Sequence, residues 1–129
     1  MNVERRRLLW HTIIMKVLYK NKKIKELCTN EVKTRKQYGI DIANRLIAAI
    51  NLLEGAANLK DILALKQYKL HALKGGLDGI YSMYLGKTTG YRLLLIPLDE
   101  SEKVIKSNDM SIYTLAVCVE IQEVSKHYE

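Results

Sequence analysis

The sequence is poor in the residues that build linkers and metal centres. Proline occurs once and glycine seven times among 129 residues, so we expect a single domain over residues 1–129 without a long disordered linker. The two cysteines, Cys28 and Cys118, lie 90 positions apart beside apolar neighbours, which favours free buried thiols over a disulfide. No C-x-x-C pair or other metal-ligand spacing occurs, and we expect no bound metal.

Long apolar runs and common catalytic signatures are also missing. No apolar run approaches about 18 residues, so we expect no membrane span. The stretch "RRRLLWHTIIM" lacks the cleavage site of a signal peptide, and we expect a cytoplasmic protein. The chain has no P-loop, no G-x-S-x-G and no G-x-G-x-x-G, so we expect no small-molecule cofactor. Both cysteines lie on apolar faces, which argues against a cysteine nucleophile.

Positive charge is in excess and is unevenly distributed. The formal net charge is +7, and residues 1–37 carry 11 Lys and Arg against 3 Asp and Glu. Residues 38–129 carry 10 against 11. A basic segment ahead of a nearly neutral body suits an anionic partner such as nucleic acid. A solvated helix face explains the same charges equally well, so charge alone does not decide between the two.

Hydrophobic patterning predicts a strand and two helices in the first half of the chain. The β-branched stretch "IIMKVLY", residues 13–19, predicts a buried strand. Apolar residues at helical spacing predict helices over about 21–34 and 38–54, the second ended by a left-handed Gly55. These helices are expected to form a hairpin. Residues 1–14, with a short helix at their centre, are interpreted as a candidate N-terminal extension.

The second half of the chain predicts four strands. They are "KLHALK" (69–74), "IYSMYL" (80–85), "YRLLLIPL" (91–98) and "SIYTLAVCVEIQEV" (111–124). Strands gathered after helices predict an α+β domain, with the N-terminal strand and helical hairpin packed on a mainly antiparallel four- to five-stranded sheet. One sheet face would stay partly exposed, and a basic, aromatic face of that kind can bind nucleic acid.

Basic side chains fall in or beside these strands. Alternation predicts that Lys69 and His71 share one strand face with Lys74 at its end, and antiparallel pairing can bring Arg92 near Lys74. His127 follows the last strand. Such cations stabilise the pentavalent phosphorane of phosphodiester chemistry, and a histidine can transfer its proton. The simpler alternatives are that His71 is a half-buried strand histidine and that His127 belongs to a frayed tail.

The block "YKLHALKGGLDGIYSMYLGKTTGYRLLLIPL" resembles the centre of RelE/ParE-superfamily toxins, and most closely their HigB-like branch. The shared features are a "K-L-H-x-L-K-G" strand, an aromatic-Ser strand, an aromatic-Arg-apolar strand and a short His/Tyr tail, here "EVSKHYE". The resemblance covers about residues 13–129 and implies a RelE-like fold. The tail departs from the family, because close HigB-like proteins read acidic-Tyr-His there.

The resemblance implies the toxin of a type II toxin–antitoxin system. Its activity would be that of a ribosome-dependent endoribonuclease, in which a ribose 2′-OH of mRNA attacks the adjacent phosphate without a metal. The implied partners are a cognate antitoxin protein, the ribosome and mRNA. One alternative within the superfamily is a ParE-like inhibitor of DNA gyrase. Another, of a different class, is a non-catalytic nucleic-acid-binding or regulatory protein.

The resemblance also implies roles for individual residues. Lys74 and Arg92 would contact and stabilise the phosphate, and His127 would act as general base or acid. His71 and Tyr128 would position the RNA. Basic side chains along the N-terminal helix and in the loop after residue 85 are the remaining expected RNA contacts: Lys22, Lys23, Lys25 and Lys87.

Overall fold

The computed structural model describes residues 14–74, 79–106 and 109–126. The predicted helix near the N-terminus, most of the predicted turn at 75–79, and the tail residues His127 and Tyr128 lie outside the described residues. The described residues form an α+β domain of five α-helices and one five-stranded sheet. The predicted fold class is therefore confirmed.

The strands of the sheet are, in chain order, β1 (Lys16–Tyr19), β2 (His71–Ala72), β3 (Tyr81–Tyr84), β4 (Tyr91–Leu98) and β5 (Cys118–Lys126). Within the sheet their order is β1-β5-β4-β3-β2. Strand β1 is parallel to β5, and the other neighbouring pairs are antiparallel, which confirms a mainly antiparallel sheet. Strand β1 therefore forms one edge of the sheet, and β2 forms the opposite edge.

Three helices replace the predicted two-helix hairpin. The extended backbone of Asn30, with φ −99° and ψ 104°, separates the first two helices. Its side-chain oxygen accepts a hydrogen bond from Lys33 N–H at 3.2 Å, so the side chain starts a new helix and stops the previous one from continuing. The helices are α1 (Lys22–Thr29), α2 (Glu31–Tyr38), α3 (Ile40–Gly55), α4 (Leu59–Leu63) and α5 (Ser111–Leu115).

The long helix α3 matches its sequence prediction closely. Its apolar residues recur at helical spacing and form a buried stripe, with Leu46 and Leu53 fully buried. Gly55 is the last helical residue, but the predicted left-handed conformation there is wrong, because the helix ends into an extended Ala56. The left-handed glycine is instead Gly39, with φ +83°, at the start of the helix.

The hydrophobic core lies between α3 and one face of the sheet. Leu93 and Leu95 of β4 and Ile121 of β5 are fully buried in the same apolar cluster as Leu46 and Leu53. Alternation along β4 sends the neighbouring residues to the opposite face. The helices therefore cover one side of the sheet, and Arg92 and Leu94 face the other side.

The last predicted strand is wrong in its first half. Residues 111–115 form the helix α5, and β5 begins only at Cys118. The Asp109 carboxylate accepts a hydrogen bond from Ser111 N–H at 2.9 Å, and Ile112 packs into the core. A local side-chain contact and tertiary packing thus outweigh the β propensity of this isoleucine- and tyrosine-containing stretch.

The strand predicted over residues 69–74 is reduced to His71 and Ala72. Lys69 has φ +43° and ψ +49°, a left-handed conformation that ends a 3-10 turn at Lys66–Tyr68. The prediction that Lys69 and His71 share one strand face is therefore wrong. A non-glycine residue in this conformation costs on the order of 1 kcal/mol, which neighbouring contacts must offset.

Candidate functional site

A β-bulge decides which side chains of β5 reach the open face of the sheet. Leu95 pairs with Ile121, but Leu94 pairs with Glu123, so Gln122 is an extra residue on β5. Without it, strict alternation from the buried Ile121 would send Glu123 into the core. With it, Glu123 and Ser125 face away from α3, and Val124 packs against the core.

Two cross-strand rows of side chains form the open face. Tyr84, Arg92 and Ser125 are directly paired across β3, β4 and β5. In the next row, His71 pairs with Ser82, and Ser82 with Leu94, which in turn pairs with Glu123. Because paired residues share a sheet face, basic, acidic and aromatic groups converge here.

A cavity of about 400 Å³ opens over these rows, and we call it the open-face groove. Two cations and one carboxylate line it, and the remaining walls are largely apolar. Lys74 and Arg92 therefore line the same groove, and Glu123 and Ser125 line it with them. Arg92 is level with Tyr84, whereas Lys74 lies beyond the Ala72–Tyr81 pair, so the two cations enter the groove from different ends. The lining residues are Leu73, Lys74, Ile80, Arg92, Leu94, Glu123 and Ser125.

Arg92 is the most deeply placed cation of the groove. Its side chain is only 9% exposed, and its Cζ atom lies 4.4 Å from the ring centroid of Tyr84. A cation–π contact of this kind is worth about 0.5–2 kcal/mol and restrains the guanidinium. Its planar fork suits two oxygens of one phosphate better than a lysine would. The ring contact thus restrains a guanidinium whose geometry can bind an oxyanion.

His71 lies next to the same aromatic ring. Its imidazole makes an edge-on contact with Tyr84 at 6.1 Å between centroids, and Nδ1 lies 2.6 Å from Lys69 O. Because a carbonyl oxygen can only accept, Nδ1 carries the hydrogen in this contact. In the neutral ring, Nε2 then remains an acceptor. The half-buried histidine can therefore contact a donor on RNA, as its predicted role requires.

The other predicted RNA contacts lie away from the groove. Lys22, Lys23 and Lys25 are exposed on α1 and line neither the groove nor the cavity at Lys87. Lys87 is exposed in the β3–β4 turn and lines a separate cavity. The predicted roles of His127 and Tyr128 fall outside the described residues and stay predictions.

Neither cysteine is suited to nucleophilic chemistry. Both are free and buried, as the sequence predicts. Burial raises the pKa of Cys28 to about 12, and burial followed by the nearby Glu102 carboxylate raises that of Cys118 to about 11. The thiolate is the reactive form, so both side chains stay as inert thiols near neutral pH.

We expect both thiols to resist a soluble disulfide reagent at pH 8 in the folded protein. A pKa of about 11 in place of 9.0 lowers the thiolate fraction of Cys118 about 100-fold, and that of Cys28 falls further. Titration with the reagent should detect two reactive thiols per chain only after denaturant is added. Rapid reaction of one thiol in the native protein would contradict the buried placement of both cysteines.

The part of the chain that the structure describes has neither a metal-binding cluster nor a membrane-spanning helix. Across 14–74, 79–106 and 109–126, no group of three or more His, Cys, Asp or Glu side chains is arranged to hold a metal ion. Over these ranges no helix is both long and apolar enough to cross a membrane. The metal-independent chemistry implied by the resemblance stays a prediction.

Comparison with known proteins adds no relative. No protein-family model, no curated protein and no solved structure matches the chain. The likeness to HigB-like toxins therefore rests on the sequence blocks quoted above. The open-face groove is the structural feature that bears on function.

Proposed function

We propose that the chain is the toxin of a type II toxin–antitoxin system and cuts mRNA on the ribosome. The observation that carries this proposal is the meeting of Lys74 and Arg92 at one groove on the open sheet face. Two cations at one concave site suit the phosphates of an RNA strand, and the aromatic and histidine side chains beside them suit an adjoining base. The likeness to HigB-like toxins supports the same reading.

The proposed reaction is an internal phosphoryl transfer within RNA. The ribose 2′-oxygen attacks the adjacent phosphorus and forms a 2′,3′-cyclic phosphate, while the bond from phosphorus to the 5′-oxygen breaks. The departing 5′-oxygen takes a proton and becomes a hydroxyl. Arg92 and Lys74 bind the non-bridging oxygens, on which negative charge grows in the phosphorane. Catalysis then rests on positioning and charge stabilisation.

Two groups are candidates for accepting the 2′-OH proton. His127 is the one implied by the resemblance, at a position that directly follows β5. Glu123 is the carboxylate that lines the groove, and its side chain is exposed to an entering RNA strand. A base at hydrogen-bond reach of the 2′-OH typically contributes about 10²–10⁴-fold. Separate His127→Ala and Glu123→Gln variants assign the role.

Induced expression of the chain in a bacterial host should arrest growth and cut translated transcripts. Primer extension is expected to show new 5′ ends inside coding regions. A reporter whose start codon is removed provides the matched control, since the same RNA should stay intact when ribosomes do not translate it. Intact transcripts together with DNA damage would replace the proposal with gyrase inhibition, and intact transcripts without damage would favour a non-catalytic binding protein.

A further inference from the structure

A second cavity of about 710 Å³ lies between α3, the 3-10 turn and the turn after β3. We call it the edge cavity. Four cations line it, namely Arg45, Lys66, Lys69 and Lys87, and none of the described lining residues is acidic. Its volume falls in the range of about 300–1,000 Å³ that is typical of small-ligand sites. A cavity with this charge suits an anionic occupant.

The interior of the edge cavity is apolar and aromatic. Ala48, Tyr68, Tyr84 and Leu85 form its apolar walls, whereas the cations are mostly exposed. Flat, half-buried tyrosine rings are the surfaces on which unstacked bases pack. The amide side chains of Asn44 and Gln67 also line the cavity and offer both donors and acceptors to a base edge.

One cavity cation is held by an ion pair and a close backbone approach. Arg45 Nε lies 3.2 Å from Asp41 Oδ1, one helical turn away. Its guanidinium also packs so close to Gly86 that an added Cβ there would lie 2.9 Å from Nη1. Gly86 has φ +99°, which favours glycine independently. These contacts place the Arg45 charge at this wall, with 48% of the side chain exposed.

Tyr84 connects the edge cavity to the open-face groove. Its ring lines the edge cavity, and the same ring has Arg92 of the groove at 4.4 Å and Lys69 of the cavity at 5.3 Å. A single strand that places one phosphate at Arg92 can thus continue past Tyr84 towards Lys69. Continuity with a phosphate site favours RNA over an acidic protein segment as the occupant.

We propose that the edge cavity binds one unstacked nucleotide of the single-stranded RNA whose phosphodiester occupies the groove. The base packs on the Tyr68 ring, and Lys66 and Lys87 contact the flanking phosphates. The inference rests on the proposed function for the identity of the ligand. Lys87, which the sequence predicts only as an RNA contact in a loop, would then contact a phosphate beside this base.

Binding of a short, fluorescently labelled, single-stranded 2′-O-methyl RNA tests the proposal by anisotropy. This probe lacks the attacking hydroxyl, so it reports binding without cutting. The double variant Lys66→Ala/Lys87→Ala should weaken binding about 10-fold. The slope of log affinity against log salt concentration should also become shallower, by about 0.7 for each lysine removed. Ala48→Phe fills the cavity and should also weaken binding about 10-fold, with the slope unchanged.

The matched control is Lys36→Ala/Lys106→Ala, which removes two exposed lysines that line neither cavity. It should change the affinity less than twofold, and thermal melting should show that all three proteins are folded. Equal weakening by the two lysine pairs would overturn the proposal, as would wild-type affinity in Ala48→Phe. An acidic, leucine-containing peptide that binds more tightly than RNA, and loses binding in Ala48→Phe, would assign the cavity to a protein partner.

The binding test fails separately from the proposed function. If the protein cuts translated transcripts but the cavity substitutions leave its RNA affinity unchanged, the nuclease function stands and the nucleotide site is refuted. A protein that binds RNA through the cavity and leaves transcripts intact retains the site and loses the nuclease function.

Discussion

Replacing Arg92 with alanine is expected to reduce transcript cutting by about 100-fold or more and to relieve growth arrest. The guanidinium is held against Tyr84 at the groove, so its loss removes a pre-positioned donor to the phosphorane oxygens. Losing one such donor typically costs about 10²–10³-fold in rate. Primer extension after induction measures the effect in cells, and a single-turnover assay on programmed ribosomes measures it with purified components.

Two companion variants separate charge, geometry and folding. Arg92→Lys keeps the positive charge but loses the planar fork, so its activity should lie between those of the wild type and the alanine variant. Arg35→Ala removes an exposed arginine of α2 and should leave cutting unchanged. Because Arg92 is largely buried, circular dichroism must first show that the variant folds. A folded Arg92→Ala protein that cuts at the wild-type rate would refute the assigned role.

Deleting Gln122 is expected to abolish cutting and to lower the free energy of unfolding by about 2–3 kcal/mol. The deletion removes the extra residue of the bulge, so every later side chain of β5 changes face. Glu123 and Ser125 would leave the groove for the core, and Val124 would lose its apolar contacts. Val124 is partly buried, so its lost contacts supply part of this cost, and burial of the Glu123 carboxylate adds to it. Chemical denaturation measures the stability of the purified protein.

The substitution Gln122→Ala is the control for the deletion. It keeps the residue count of β5 and removes only the side chain, whose amide nitrogen donates to Glu120 at 2.8 Å. Its cost should stay below about 1 kcal/mol, with cutting preserved. If the deletion variant melts and cuts like the wild type, the bulge does not determine which side chains of β5 line the groove.

Much of the fold could be predicted because long periodic segments dominate it. The buried stripe of α3 and the strand β4 both follow from their spacing of apolar residues. The errors occur where one short-range contact overrides a pattern. Asn30 divides a helix through its own side chain, and the Asp109 carboxylate accepts a hydrogen bond from the first residue of a helix in a stretch whose composition favours a strand.

The site was less predictable than the fold. Lys74 and Arg92 line one groove because both reach the open side of the sheet, but the strand register sets them at different ends of it. Glu123 was not assigned a place in the groove, because simple alternation from Ile121 points it into the core and only the bulge reverses that. The edge cavity is lined by three segments that lie far apart in the chain, and no local sequence pattern predicts that they come together.

The parallel pairing of β1 with β5 has a consequence for synthesis. Lys16 pairs with Cys118, which lies 102 positions later, so the first strand has no neighbour until the last one has been made. Pairings between such distant residues form slowly. Strand β5 also supplies Glu123 and Ser125 to the groove. A growing chain therefore has no complete groove until β5 has been made and has paired.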